Sequence, residues 1–583
     1  LVGGTIVAAA AFWYAASYSP STPSIDGNPI RTDDPRRNKI RLVVLVIFDQ
    51  MRGDYLSRWR DLFEADGGFR RMMREGVWFD NCHYPYANTK TGAGHASLAT
   101  GTSPATHGII SNDWYEIAIE KEVYCVGTDR YDRVPTTGGK IIQPTEKKKA
   151  GRTRGASPDR LLSPTFADEL KKAFGDRAKV VAVSLKDRSA VLPAGRKPDA
   201  CYWFDSTIGS FVTSTFYRDG LHPWADAFNK TRSVDRFWRK DWDRLRPSLD
   251  YEPYSSKDDQ DGENSGVKQG RTFPHPTDAG LDQLGPKYYD AVAMSPFGNQ
   301  ILLDFAKTAL EAEQLGQDDL PDFLSISFSS NDLVGHCWGP DSQEVLDVTL
   351  RSDLVVKELL DHLDARVGRG RYLLALTSDH GVCPLPELTR ARGGNAERID
   401  LDKLLAEANA HLRARFTQSG GNLDEEWIEA EAEPWLYLSR STLRRHQADQ
   451  VHVEAALAEF LANHDGIQAA YTRSQITAND LPNDAIARRV VKSFHPDRAG
   501  DVYALLKPNY LFSSAFGRGT THGTPHPYDT HVPLLVFGPG VKPGVVLNDE
   551  TPPQAVVPIF AKALGIAAPK DCDIAAPTGM FAD

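Results

Sequence analysis

The stretch Tyr86–Tyr115 contains Thr91-Gly92-Ala93-Gly94-His95, a hydroxyl followed by two glycines, and then helix-forming residues up to Thr100. A loop that turns into a helix in this way presents free backbone N–H groups and the positive end of the helix dipole, which favour an anion. Thr91 is thus placed to face a phosphate. A threonine hydroxyl is almost never ionised at neutral pH, so it needs a base or a metal beside it to act as a nucleophile. Acids and imidazoles stand at the ends of several apolar runs. Asp49 follows Arg41–Phe48, Asp332 and His336 follow Phe323–Phe328, and Asp379-His380-Gly381 follows Tyr372–Leu376. Asp332 and His336 are four residues apart, so one helical turn would put them on one face. A late histidine completes the set, and His522, His526 and His531 are equal candidates on spacing alone. Six oxygen and nitrogen ligands without a thiolate suit Zn²⁺ or Mn²⁺. Asn112 is an uncharged donor for a phosphoryl oxygen. Lys186 and Arg188 follow the apolar run Lys179–Leu185; on an extended segment they share a face, with Asp187 opposite, and form a clamp for a dianion. Together these residues describe a dinuclear metal hydrolase acting on a phosphate.

Positioning so many groups requires strands that end at one edge. The runs ending near Phe48, Leu185, Phe328 and Leu376, with Val532–Phe537, are continuously apolar and β-branched, the pattern of strands buried on both faces of a sheet. The expected fold is α/β: a central, mostly parallel sheet flanked by helices, with ligands beyond the carboxyl ends of its strands. Asp54–Glu75 and Ser342–Leu363 read as helices on its faces. Two insertions are expected at about 200–290 and 387–496, forming a cap or accessory region. The first is rich in aromatic residues, which either cover the site as a lid or belong to the core. Lys147–Arg160 is basic and reads as a solvated surface loop.

Residues 1–37 stand apart. Leu1–Ser19 is apolar and rich in small residues, and a Ser/Pro/Asp-rich linker follows it, as in a secretory signal or a single membrane anchor. An exported, periplasmic location is expected, with residues 38–583 as the catalytic domain. The net charge of -11 argues against nucleic acid as a dedicated partner. The six cysteines form no CxxC pair, so thiolate metal sites are not expected, while disulfides are permitted.

The motifs carry a resemblance. Asp49, Thr91-Gly-Ala-Gly-His95, Asp332-x-x-x-His336, Asp379-His380-Gly and Thr521-His522-Gly resemble the metal and nucleophile set of the alkaline phosphatase superfamily. The threonine nucleophile, Asn112 in SNDWY and the Lys186-x-Arg188 pair are similar to the single-chain, PafA-type bacterial periplasmic alkaline phosphatases. The match runs in order from about Leu42 to Gly538. The resemblance implies two Zn²⁺ ions, one held by Asp332, His336 and His522, the other by Asp49, Asp379, His380 and the Thr91 oxygen. It selects His522 among the three late histidines. It also implies hydrolysis of small-molecule phosphate monoesters through a phosphothreonine, with Asn112, Lys186 and Arg188 holding phosphoryl oxygens. Two alternatives stand beside it. A nucleotide pyrophosphatase/phosphodiesterase shares the metals and Thr91, and a non-catalytic, metal-stabilised surface binding protein would keep the ligands without Thr91. A sulfatase is disfavoured because TKTGAG is not a CxPxR-type motif.

Overall fold

The computed structural model describes residues 40–135, 154–278, 280–417, 425–513 and 518–582. The N-terminal segment 1–37 and residues 147–153 of the basic loop lie outside the described residues.

The chain is built on a ten-stranded sheet. In chain order its strands are β1 (Leu42–Phe48), β2 (Val77–Phe79), β3 (Arg133–Val134), β4 (Val180–Ser184), β5 (Ala200–Asp205), β6 (Ser210–Ser214), β7 (Asp322–Phe328), β8 (Tyr372–Thr377), β9 (Leu534–Phe537) and β10 (Val545–Leu547). Their spatial order is β10-β2-β9-β8-β1-β7-β4-β5-β6-β3. The run β8-β1-β7-β4-β5 is parallel. Every residue of β1 is buried, because helices cover both faces. Leu42, Val44, Val46 and Phe48 point into one core with the helices Pro296–Ala312 and Gln343–Leu363. Val43, Leu45 and Ile47 point into the other, with the helices Thr91–Thr100 and Val556–Leu564. The period of two along the strand is what divides them.

Register decides where the chemistry falls. Phe48 pairs with Phe328, Ile47 with Thr377, and Ser327 with Ser184, so four parallel strands end side by side. β9 runs antiparallel to β8 and pairs Leu534 with Thr377. Its entry segment therefore reaches the same edge, although it precedes its strand.

Two expectations need correction. Ala200–Ser214, read as the start of an insertion, supplies β5 and β6 of the central sheet. Its aromatics are core: the rings of Phe211 and Phe305 stack at 3.8 Å, and Tyr202 and Phe204 are buried in the same cluster, so they form no lid. The second inserted region continues past 496. Its four-stranded antiparallel sheet is ordered Ile428–Ala432, Trp435–Leu438, Val502–Leu506, Ile467–Thr472, so a strand after 500 is interior to it. Leu401–Phe416 and Gln450–Ala462 pack on one face of this sheet, while Tyr437, Tyr471 and Tyr503 share a core with Trp114 and Tyr124 on the other. All six cysteines are free thiols. Among the described residues, no helix is long and apolar enough to cross a membrane.

Candidate active site

Thr91 is the first residue of α1 (Thr91–Thr100), and its neighbour Lys90 is extended. α1 lies close against the end of β8: a Cβ on Gly94 would collide with the backbone of Asp379, which explains the second glycine of the motif. Thr91 is buried, and its Oγ1 is 3.2 Å from His380 Nε2.

Around it the strand ends deliver carboxylates and imidazoles. Ligand atoms of Asp332, His336 and His522 lie within 4.8 Å of one another, and so do those of Asp49, Asp332 and His380. Asp332 thus belongs to both groups. Asp379, which the resemblance sets beside Asp49 and His380, stands next to the second group, with Oδ2 3.2 Å from His380 Nε2 and 3.2 Å from His95 Nδ1. Each imidazole has its tautomer fixed from behind. Nδ1 of His336 donates to Thr520 O (2.7 Å), Nδ1 of His380 to Gly381 O (2.9 Å) and Nδ1 of His522 to Thr89 O (2.6 Å). A carbonyl can only accept, so in the neutral ring Nε2 carries the lone pair, and in all three it is turned toward the carboxylates. His526 and His531 are committed elsewhere, with Nε2 donating to Leu506 O and Asp80 O.

The residues present fit a pair of divalent cations. Asp49 Oδ1 and Asp379 Oδ2 are buried without a hydrogen-bond partner, an arrangement that proteins rarely leave uncompensated. Burial, with Asp332 and Asp379 nearby, pushes Asp49 up to about 7. Asp332 and Asp379 stay well below the usual carboxylate range; burial opposes this, but His336 and Lys186 act on the first and His380 and His95 on the second. Burial would lower His380, yet Asp379 and Asp49 raise it to about 9. His522 is driven well down by burial and by His380 and His336.

The cationic pair differs from the expected extended clamp. β4 ends at Ser184 and the helix α2 (Asp187–Ala194) begins at once, so Arg188 lies in a first helical turn and Lys186 just before it. Lys186 Nζ bridges Asp49 Oδ2 (2.6 Å) and Asp332 Oδ2 (2.5 Å), drawn in by the concentration of negative charge. Arg188 donates to the Tyr124 hydroxyl at 3.2 Å, Tyr124 bonds Asp187, and Arg188 Nε is buried with no hydrogen-bond partner. Asn112 Oδ1 accepts from Gly92 N at 2.7 Å, which leaves its NH₂ group to donate.

Gln50 and His95 were not identified from the sequence as site residues. Gln50 adopts a left-handed φ of 69°, donates from its backbone N–H to Asp379 Oδ1 (3.1 Å) and from Nε2 to Asp332 Oδ1 (2.8 Å). A Cβ at position 335 would overlap the Gln50 amide, so Gly335, one residue before His336, makes room for this bridge. His95 donates from Nδ1 to Thr91 O (2.9 Å) and bonds Ser327 through Nε2 (2.8 Å). The signal for both was adjacency to motif residues; apart from Thr91, the partners named here lie more than 200 positions away.

Comparison with known proteins identifies the family. Residues 43–529 match the type I phosphodiesterase / nucleotide pyrophosphatase family. The chain is 34% identical over 536 residues to the alkaline phosphatase PhoV of Synechococcus elongatus, covering 91% of this chain and 90% of that one. It is 35% identical over 505 residues to the alkaline phosphatase PafA of Elizabethkingia meningoseptica, covering 86% and 88%. A crystal structure of alkaline phosphatase PafA superposes with a TM-score of 0.84 at 32% identity, covering 93% of this chain and 99% of that one. The chain belongs to the type I phosphodiesterase / nucleotide pyrophosphatase family of the alkaline phosphatase superfamily, and it is a hydrolase of the alkaline phosphatase kind.

Proposed function

We propose that this enzyme hydrolyses small-molecule phosphate monoesters by passing the phosphoryl group first to Thr91 and then to water. The observation that carries the reading is Thr91 Oγ1 at the N-terminus of α1, 3.2 Å from His380 Nε2, beside two ligand groups that share Asp332. Asp332, His336 and His522 would hold one Zn²⁺, and Asp49, Asp379 and His380 the other, with the Thr91 oxygen adjoining. Bound there, the two ions supply Lewis acidity that favours ionised hydroxyl groups and neutralises charge on the attacking and leaving oxygens.

The chain's own groups do the rest. Thr91 attacks phosphorus in line, the bond from phosphorus to the leaving alcohol breaks, and water then cleaves the phosphothreonine to inorganic phosphate and free Thr91. The Asn112 NH₂ group, the Arg188 guanidinium and the Lys186 ammonium bind the non-bridging oxygens, where negative charge gathers. His95 holds the backbone of Thr91, and Gln50 orients Asp332. The apolar segment 1–19 and its Pro-rich linker support an exported, periplasmic enzyme with either a cleaved signal or an N-terminal anchor, which fractionation of expressing cells tests.

A phosphodiesterase is the second reading, supported by the family match. It would need room for a second substituent on phosphorus, whereas Lys186 and Arg188 supply charge for a dianion. The deciding measurement is kcat/KM for p-nitrophenyl phosphate against bis-p-nitrophenyl phosphate on zinc-loaded protein. Monoester preference supports the proposal, and diester preference moves the enzyme to the second reading with Thr91 and the ligands unchanged.

A further inference from the structure

The imidazoles of His380 and His522 stack at 3.4 Å with 13° between their planes. They come from loops about 140 residues apart in sequence, and each contributes to a different ligand group. Something must hold these loops in contact, since two imidazoles facing one set of carboxylates have no intrinsic reason to stack. The short helix α3 (Pro527–Thr530) does so, and Asp529 is its one residue that reaches both loops. Asp529 is fully buried. Its Oδ2 accepts from Gly523 N (3.0 Å), Thr524 N (2.8 Å) and Thr524 Oγ1 (2.6 Å), fixing the backbone directly after His522. Its carbonyl accepts from Gly381 N at 2.7 Å, and the carbonyl of Tyr528 accepts from Val382 N at 2.9 Å, fixing the backbone directly after His380.

We propose that Asp529 is the positioning residue for both imidazoles, tying the His522 loop to the His380 loop and so setting the spacing of the two metal groups. Asp529 touches neither substrate nor metal; it acts through the geometry of the histidines. Partners one layer behind metal ligands typically change metal affinity or activity by about 10- to 100-fold. The inference rests on the metal reading given above.

The test is Zn²⁺ titration of apo-protein against a chromophoric chelator, together with the apo melting temperature, on wild type, D529A, D529N, T524V and T524S. D529N keeps one carbonyl oxygen for the three donors, and T524S keeps the hydroxyl. D529A is expected to lose Zn²⁺ affinity by about 10- to 100-fold and T524V by a smaller factor, while D529N and T524S stay near wild type. Apo melting temperatures in the same series identify any variant whose affinity loss reflects unfolding instead of a displaced histidine. Wild-type affinity in D529A overturns the proposal, as does an equal loss in D529A and D529N. If D529A does not fold, the T524V and T524S pair decides, and equal affinities there overturn it. A wild-type chain that binds no Zn²⁺ sinks the metal reading itself, a result distinct from any of these.

Discussion

Asp49 at the end of β1 and Asp501 beside the accessory sheet are both fully buried, yet one is surrounded by unmet demand and the other is saturated. Asp501 Oδ1 accepts from Arg440 (2.6 Å) and Arg473 (3.2 Å), and Oδ2 from Leu438 N (2.8 Å) and Arg440 (3.0 Å). Nothing is left over, and the network joins the helices Arg440–His446 and Arg473–Thr477 to the strand Trp435–Leu438. Asp49 has one ammonium on Oδ2 and no hydrogen-bond partner on Oδ1, while Asp332 and Asp379 push on it from nearby. Buried charge by itself therefore does not mark a functional site here. What marks it is acceptor capacity held unfilled by a rigid frame, because folding alone would select against such a cost.

This contrast can be broken at several points. The largest effect belongs to Thr91: T91A should lower kcat/KM by at least about 1,000-fold while Zn²⁺ stoichiometry, measured by atomic absorption, stays at the wild-type value. Persistent turnover would remove Thr91 as nucleophile. At Asp501 the consequence should be stability instead of chemistry. D501A leaves two guanidinium groups facing a vacancy and should cost about 3–5 kcal/mol in denaturant unfolding, with kcat/KM of the folded fraction unchanged; a selective loss of activity would make the accessory sheet part of the active site. Next come the cations. K186A and R188A should each reduce monoester hydrolysis by about 100-fold and diester hydrolysis much less, and equal losses on the two substrates would count against a dianion clamp. The smallest effect is expected where the two regions meet, at Lys90 and Glu433, 3.7 Å apart and partly exposed. E433Q should change stability by less than about 1 kcal/mol, and a larger change would show the accessory unit to be docked through this pair.

Much of the site was legible because it is written at strand ends. A buried parallel strand must be apolar throughout, so the first acid after it is conspicuous, and Asp49, Asp332 and Asp379 each follow such a run. The accessory region was less legible: Ile428–Ala432 alternates apolar and polar residues instead of forming an apolar run, and Val502–Leu506 lies beyond the boundary that composition suggested. The Lys186 and Arg188 reading erred in its geometry because nothing between Ser184 and Asp187 shows where extension gives way to helix.

The sequence by itself determined which groups exist and that they gather at one edge, since apolar runs, the acids that follow them and the glycine-rich turn before a helix are local properties of the chain. It also placed Thr91 at a helix start. Only the tertiary structure decided that Asp332 serves both ligand groups, that Lys186 lies among the carboxylates, that Gln50 needs the absent side chain at Gly335, and that Asp529 ties together two loops far apart in sequence. Each of these depends on a contact between segments whose separation along the chain carries no periodic or compositional trace, and hydrogen bonds across such distances are specified only when the packed sheet brings their donors and acceptors within reach.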